Sequence, residues 1–409
     1  MIYRVLEFFI SLFPYKVLHA LGRVAGRVAF TLHRSFRKKA LSNLHLAYGE
    51  TKTEKERKQI AIESFQTLTI TCLDYFRLRK SKHNISEIVT LEENEEVSLL
   101  MKKGQGVIFL SGHQANWEIP FLATTDKYHG IAIGRPIKNR ALYNFVLSIR
   151  EMKGGKIVNP KQAFKEGIRA LRKGQFLGIV GDQAFPESSY SYPLFGTRAW
   201  TTTAPALFAY KTNSPIVVGT TRREGPHYFV KGSAPIWPDL SRPVKEEIPR
   251  IMDQAISLLE ESIKERPGQW MWVHDRWKQQ TADKVKRKYR AGSILVILPP
   301  DLKPLLPIIP LIRKIYPRSF LTFFVAKGTP PPLPEVTIRE YERVEEMFVR
   351  DYRYRLVLDF FDIPKLRHHF MKLGAFQALS FPVNNSIEEL VEAIQTTLVK
   401  PKCLKAATL

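Results

Sequence analysis

Only two cysteines, Cys72 and Cys403, occur in the 409 residues, so the chain can build neither a disulfide framework nor a cysteine-rich zinc site, and a reducing compartment is indicated. Acidic charge is scarce too: 39 Asp and Glu against 63 Lys and Arg leave a net charge of +24. Long apolar runs are missing. Residues 1–32 are the most apolar part of the chain, yet their longest stretch without a charge is Phe8–Tyr15, far short of the roughly 20 residues a simple membrane span needs. No small-residue cleavage site follows, which argues against a removable signal peptide. With 44% hydrophobic and 11% aromatic residues, the chain can still bury a sizeable core and is no disordered basic tail. Its length corresponds to roughly two to three domains. The cationic excess calls for an anionic partner: nucleic acid, a membrane surface or an acidic substrate.

The N-terminal segment favours the membrane. Pro14 is placed to open a second helix, along which Lys16, His19, Arg23 and Arg27 recur every three or four residues as one polar stripe. Val17, Leu18, Leu21, Val24, Val28 and Phe30 fill the remainder, which is the pattern of an interfacial helix on an anionic leaflet. Arg34, Arg37, Lys38 and Lys39 follow at what would be headgroup level on the cytoplasmic side. The competing expectation is an amphipathic helix packed on the protein's own core.

From Asn43 to about Lys80 the pattern is helical. Short apolar runs at 106–110, 131–133, 176–180 and 216–220 then alternate with helical stretches at 161–172 and 205–210, with no internal repeat. That alternation predicts an α/β core. His113 follows a predicted strand and a Ser-Gly turn, where α/β folds expose functional groups. Glu118 lies five residues on. The two would be about 140° apart on a regular helix, so they can meet only if His113 sits in the loop and Glu118 in the first turns after it. A carboxylate on one ring nitrogen would fix the tautomer and leave the other nitrogen as a base for a hydroxyl attacking a carbonyl. No second histidine lies near enough for a metal site, and Ser111 lacks the G-x-S-x-G setting of a nucleophile. No cofactor is expected. Arg135 in "GRPIKN", Arg150 before Gly154 and Gly155, Asp182 and Gln183 in "GDQ", and "PLFGTRAWTTTAP" at 193–205 complete the pattern.

In this order and spacing, residues 3–278 resemble the late acyltransferases of lipid A biosynthesis, within the lysophospholipid acyltransferase superfamily. The resemblance rests on "ALSNLHLAYGE" at 40–50, the H-x-x-x-x-E pair His113 and Glu118, "RPIKN" at 135–139, Arg150, Asp182–Gln183, Phe195–Gly196 and "RPGQWMWVHDRWK" at 266–278. Two positions depart from it: Asp275–Arg276 stands where the family has a double Arg, and Leu194–Phe195–Gly196 where it has F-F-G. The resemblance implies acyl transfer from an acyl carrier protein thioester to a hydroxyl of a lipid A precursor, at the cytoplasmic face of the bacterial inner membrane. His113 would be the general base and Glu118 its orienting acid. Arg135 and Arg150 would contact phosphate or sugar acid, and Asp182 and Gln183 would also bind substrate. Backbone N–H groups near Gly112 and His113, or Arg150, would meet the oxyanion. The cationic excess then faces an acidic carrier, a phosphorylated acceptor and the leaflet. Two alternatives stand beside this reading: acylation of another glycolipid or a lysophospholipid, with coenzyme A as the carrier of the acyl group, and a non-enzymatic basic module. A nucleic-acid partner is not expected, because the aromatics sit in apolar runs rather than among the basic patches.

Beyond a basic stretch at 281–292, residues 293–409 alternate again: strands at 293–298, 320–325, 354–361 and 375–381, helices at 303–316 and 386–399. This predicts a small doubly wound α/β unit. It resembles half of a heptosyltransferase-type glycosyltransferase, without the half that carries the nucleotide-sugar site, and "LPPDLKP" stands where a phosphate-binding glycine loop would be. A docking or stabilising role is expected of it. The full expectation is membrane-associated helices at 1–32, an acyltransferase domain with a mixed sheet flanked by helices at 33–280, the linker, and a Rossmann-like extension at 293–409.

Overall fold

The computed structural model describes residues 2–79, 85–92, 94–281, 284–383 and 386–401. Cys403, the helix end expected at Lys80 and Asp283 of the linker lie outside the described residues. Two compact units emerge, Met1–His33 with Glu54–Arg276, and Arg34–Thr53 with Trp277–Leu409. The helical pattern expected from Asn43 onward is two helices, divided at Gly49–Thr53. The first of these, α3 below, belongs to the second unit rather than to the domain expected at 33–280.

In chain order the first unit holds helices α1 (Ile2–Ile10) and α2 (Tyr15–Leu32). After α3 (Arg34–Tyr48) it resumes with α4 (Glu54–Leu78). Then come β1 (Val89–Glu92), α5 (Glu95–Lys102), β2 (Val107–Ser111), α6 (Ile119–Thr125), β3 (Gly130–Ile133) and α7 (Arg140–Arg150). Next are β4 (Lys156–Val158), α8 (Pro160–Arg172), β5 (Phe176–Val180), β6 (Ser191–Leu194), β7 (Thr197–Trp200) and α9 (Ala204–Thr212). The unit ends with β8 (Ile216–Glu224), β9 (His227–Gly232) and α10 (Val244–Glu265). Seven strands form one sheet in the order β1-β9-β8-β2-β5-β3-β4, parallel throughout except for the antiparallel β8–β9 pair. β2 and β5 lie at its centre and are covered on both faces, which is why they read as unbroken apolar runs.

The starts of α7 and α8 follow capping chemistry. Asn139 accepts the Leu142 N–H at 2.9 Å to open α7, and Asn159 accepts that of Lys161 at 3.0 Å, with Pro160 next, to open α8. The β6–β7 hairpin turns on Phe195 (φ 52°) and Gly196 (φ 75°), so this sequence motif makes a left-handed two-residue turn.

α2 packs along α4 so closely that a Cβ on Gly26 would stand 2.4 Å from the Gln66 backbone. Tyr15, Leu18, His19, Gly22, Gly26 and Phe30 are its buried face. His19 therefore leaves the expected polar stripe: its Nε2 lies 2.9 Å from the buried Asp74 Oδ1. Lys16, Arg23 and Arg27 remain exposed beside Val17, Leu21, Val24 and Val28. No single helix among the described residues is long and apolar enough to cross a membrane; α1 and α2 meet that test only together, bent by 117°.

The second unit adds β10 (Ser293–Ile297), α11 (Ile308–Ile315), β11 (Phe320–Ala326), β12 (Thr337–Tyr341), β13 (Leu356–Asp359), α12 (Pro364–Lys372), β14 (Gln377–Ser380) and α13 (Ile387–Leu398). Its parallel sheet runs β12-β11-β10-β13-β14, the doubly wound order expected. The helix expected at 303–316 is shorter, because Pro304 and Pro307 confine its start to a 3-10 turn at Lys303–Leu305. Here α3 is held by buried polar bonds: Arg355 donates to Asn43 Oδ1 at 2.8 Å and to Ser42 Oγ at 3.1 Å. Asp359, at the end of β13, accepts the Phe361 and Ile363 N–H groups and the Arg367 guanidinium.

Candidate active site

The parallel pairing of β2 with β5 sets the site. Ser111 is in register with Val180, so the residues two positions beyond each strand, His113 and Asp182, emerge side by side at the sheet's C-terminal edge. His113 Nδ1 lies 2.6 Å from Asp182 Oδ1, and its backbone N–H donates to Asp182 Oδ2 at 2.7 Å. Trp270 Nε1 donates to the same Oδ2 at 2.7 Å. Burial opposes ionisation of Asp182, yet the charge and hydrogen bonds of His113, with His274 nearby, hold its carboxyl well below the ordinary carboxylate range. The carboxylate therefore takes Nδ1–H as a donor, so that in the neutral ring it is Nε2 that carries the lone pair. Nε2 points toward Gln183, whose Nε2 stands 3.5 Å away in the open cleft.

This corrects the expected partnership. Glu118 is not the acid on the His113 ring. Its Oε2 accepts Arg150 Nε at 2.7 Å, its Oε1 accepts Arg150 Nη2 at 2.6 Å, and Oε1 also accepts the Tyr75 hydroxyl. The intervening loop turns through Ala115 in the left-handed region (φ 46°), and Glu118 is already at the head of α6. The pair is largely buried. Burial works against the charge of Arg150, but Glu118 more than offsets it and raises the guanidinium above its usual range. Burial and the neighbouring Glu118 push the Tyr75 hydroxyl well up, so it stays a donor. Arg150 thus spends its Nε and Nη2 edge on Glu118, and the His113 N–H proposed for an oxyanion is spent on Asp182.

The C-terminal sequence motif supports the loop from beneath. Gln269 O accepts the Ala115 N–H at 2.7 Å, and His113 O accepts the Met271 N–H at 3.1 Å. The buried Trp270 packs edge-on against the buried Trp272 and against the half-buried His274, which lies 5.8 Å ring to ring from His113. Burial lowers the His274 pKa to about 4, leaving it neutral. Arg276 is buried too, donating to Trp200 O at 2.9 Å and Thr201 Oγ1 at 2.6 Å, so the arginine kept beside the departing Asp275 is a structural side chain. Sequence reasoning gave no role to Trp270, although it lies in the quoted motif at 266–278, or to Tyr75. Neither carries a spacing signal, since both reach the site from distant elements.

A cleft of about 390 Å³ opens above this group, lined by His113, Trp117, Glu118, Arg135, Arg150 and Gln183 among others. Arg135 is exposed at its edge, and Thr202 lines it. Trp117, Phe121, Ile133 and Val180 are shared with a narrow apolar channel of about 100 Å³ that runs across one face of the sheet. Its floor takes alternate residues of the central strands: Phe109 and Ser111, Gly178 and Val180, Val217 and Gly219. A Cβ at Gly219 would meet only the Leu110 carbonyl oxygen, at 3.9 Å, so the missing side chain is what leaves room there.

Such a site, an oriented imidazole at the junction of a polar cleft and an apolar channel, suits proton removal from a hydroxyl beside a carbonyl with a long hydrocarbon tail. The chain is similar to the lipid A biosynthesis lauroyltransferase of Escherichia coli (strain K12), 24% identical over 273 residues that are 65% of this chain and 86% of that protein. It is also similar to the lipid A biosynthesis myristoyltransferase of the same organism and to lipid A biosynthesis acyltransferase 1 of Shigella flexneri. Each of these is 25% identical over 261 residues, 63% of this chain and 78% of the relative. The bacterial lipid A biosynthesis acyltransferase family matches residues 1–279, which include every residue of the cleft, and the chain belongs to that family.

Proposed function

We propose that this acyltransferase moves a fatty acyl chain from an acyl carrier protein thioester to a hydroxyl of a lipid A precursor, working at the cytoplasmic face of the bacterial inner membrane. The observation that carries the reading is His113, bound at Nδ1 by Asp182 and open at Nε2 to the cleft. Nε2 takes the proton of the acceptor hydroxyl as its oxygen attacks the thioester carbonyl. The tetrahedral intermediate collapses, the C–S bond breaks, and the proton passes from the imidazolium to the departing thiolate. No acyl-enzyme is needed. The Gln183 side-chain amide, beside Nε2, takes the role of oxyanion donor that the His113 backbone N–H cannot fill. Arg135 at the cleft edge receives the acceptor's phosphate or sugar acid. The apolar channel holds the acyl tail, and its narrow bore favours a single unbranched chain. Glu118, Arg150 and Tyr75 act as a braced wall of the cleft.

The exposed valines and leucines of α1 and α2, with Arg23 and Arg27 beside them, support seating of this segment in an anionic leaflet. A lipid acceptor would then reach the cleft without leaving the membrane.

The test is His113→Ala, assayed with acyl carrier thioesters and a panel of lipid precursors by product mass. Turnover falls at least about a hundredfold with the fold intact, the scale of a lost general base. Near-normal transfer by that variant would overturn the mechanism, and equal use of acyl-coenzyme A by the unaltered enzyme would move the donor assignment.

A further inference from the structure

We propose that the exposed face of α8 is the docking surface for an acidic helical carrier domain that delivers the acyl thioester; this deepens the reading above and rests on it. α8 starts at the site: its first residue, Pro160, lines the same cleft as His113. Its 13 residues extend about 20 Å from that edge, at 1.5 Å per residue. A carrier seated along it would need only a flexible arm to place a thioester over the imidazole.

The face has a composition that the helix itself does not require. Lys161, Lys165, Arg169 and Arg172 recur at helical spacing and are all exposed, forming one cationic ridge. The single carboxylate, Glu166, is spent on Arg169 at 2.9 Å. Arg169 and Arg172 suit the negative end of the helix dipole. Lys161 does not: it sits in the first turn, where the dipole is positive and where α8 carries no acidic residue. Helix stability therefore leaves that cation unexplained.

Beside the ridge runs a shallow apolar groove floored by Phe164 and Ile168. Phe164 is 49% exposed although its ring packs on Phe208 at 5.5 Å. An aromatic anchor rimmed by cations matches an amphipathic helix with an acidic face, with charge guiding the approach and the ring holding the register. An anionic membrane would be met by the same charges, but the apolar stripe of α2 already offers a larger face for that purpose. The carrier is the occupant that needs to stand at the cleft.

The experiment compares two donors of the same acyl group, a carrier-protein thioester and an acyl-pantetheine, using Lys161→Glu/Lys165→Glu and, separately, Phe164→Ser in the full chain. Neither substitution touches the cleft chemistry. KM for the carrier thioester rises roughly tenfold or more in the charge-reversed variant, while kcat and the kinetics with acyl-pantetheine stay unchanged. In the unaltered enzyme the carrier KM climbs with salt, and the charge-reversed variant loses that dependence. An unchanged carrier KM overturns the proposal. So does an equal loss with both donors, or a loss confined to binding of anionic phospholipid vesicles. If the unaltered enzyme transfers from pantetheine but never from the carrier, the donor assignment itself has failed, an outcome separate from misplacing the dock.

Discussion

Replacing Asp182 by asparagine isolates the feature on which the chemistry turns. The carboxylate accepts three bonds, from His113 Nδ1 at 2.6 Å, from the His113 backbone N–H at 2.7 Å and from Trp270 Nε1 at 2.7 Å. An asparagine oxygen in the Oδ2 position can keep the last two. Its NH₂ then faces Nδ1, which must become an acceptor, and the ring proton moves to Nε2. The base is lost while the loop stays in place. Flipping the amide is worse, since the NH₂ would then oppose two donors in a buried site. A tautomer error of this kind costs about 10³–10⁴ in kcat, roughly 4–5.5 kcal/mol at 1.36 kcal/mol per decade. The assay is the initial rate of acyl transfer under saturating donor and acceptor, with thermal unfolding to show that the variant folds. A kcat within about fivefold of the unaltered enzyme would refute the reasoning, because the tautomer would then be set by something other than Asp182.

Glu118→Ala strands the buried Arg150 guanidinium and is expected to cost about 3–5 kcal/mol of stability, read as a lower urea midpoint; Glu118→Ala/Arg150→Met should recover much of it. His274 stays neutral in the folded chain down to about pH 4, whereas the unfolded chain takes up its proton below about 6.5. The unfolded state therefore binds more protons in that window, and stability falls by about 3 kcal/mol as pH drops from 6.5 to 4. Urea titrations across the window should show this slope flattened in His274→Phe. Gly219→Val places methyl groups in the apolar channel, so product masses should shift to shorter acyl chains while short-chain donors keep their rate.

What the sequence alone determined was local. Apolar runs of three to six residues flanked by turns marked β2, β3, β5, β8, β10 and β11, because a strand covered on both faces must be apolar throughout. Helix α8 was legible as a helical stretch at 161–172. Short or edge strands such as β1, β4, β9 and β12 went unmarked, since partly exposed residues carry no run. The same limit applied at the site. His113, Arg135, Asp182 and Gln183 were all picked out, each from its place after a strand. The partner of His113 was sought five residues away, where spacing can be reasoned about, and was found 69 residues away. Parallel strands make neighbours of residues separated by a whole crossover, and only the register of Ser111 on Val180 decides which ones. Tertiary structure likewise paired Glu118 with Arg150, drew Trp270 under Asp182 and took His19 from a surface stripe into the core. Each of these is a choice of partner for a polar group leaving water, and burial, which the sequence does not state, is what forces the choice.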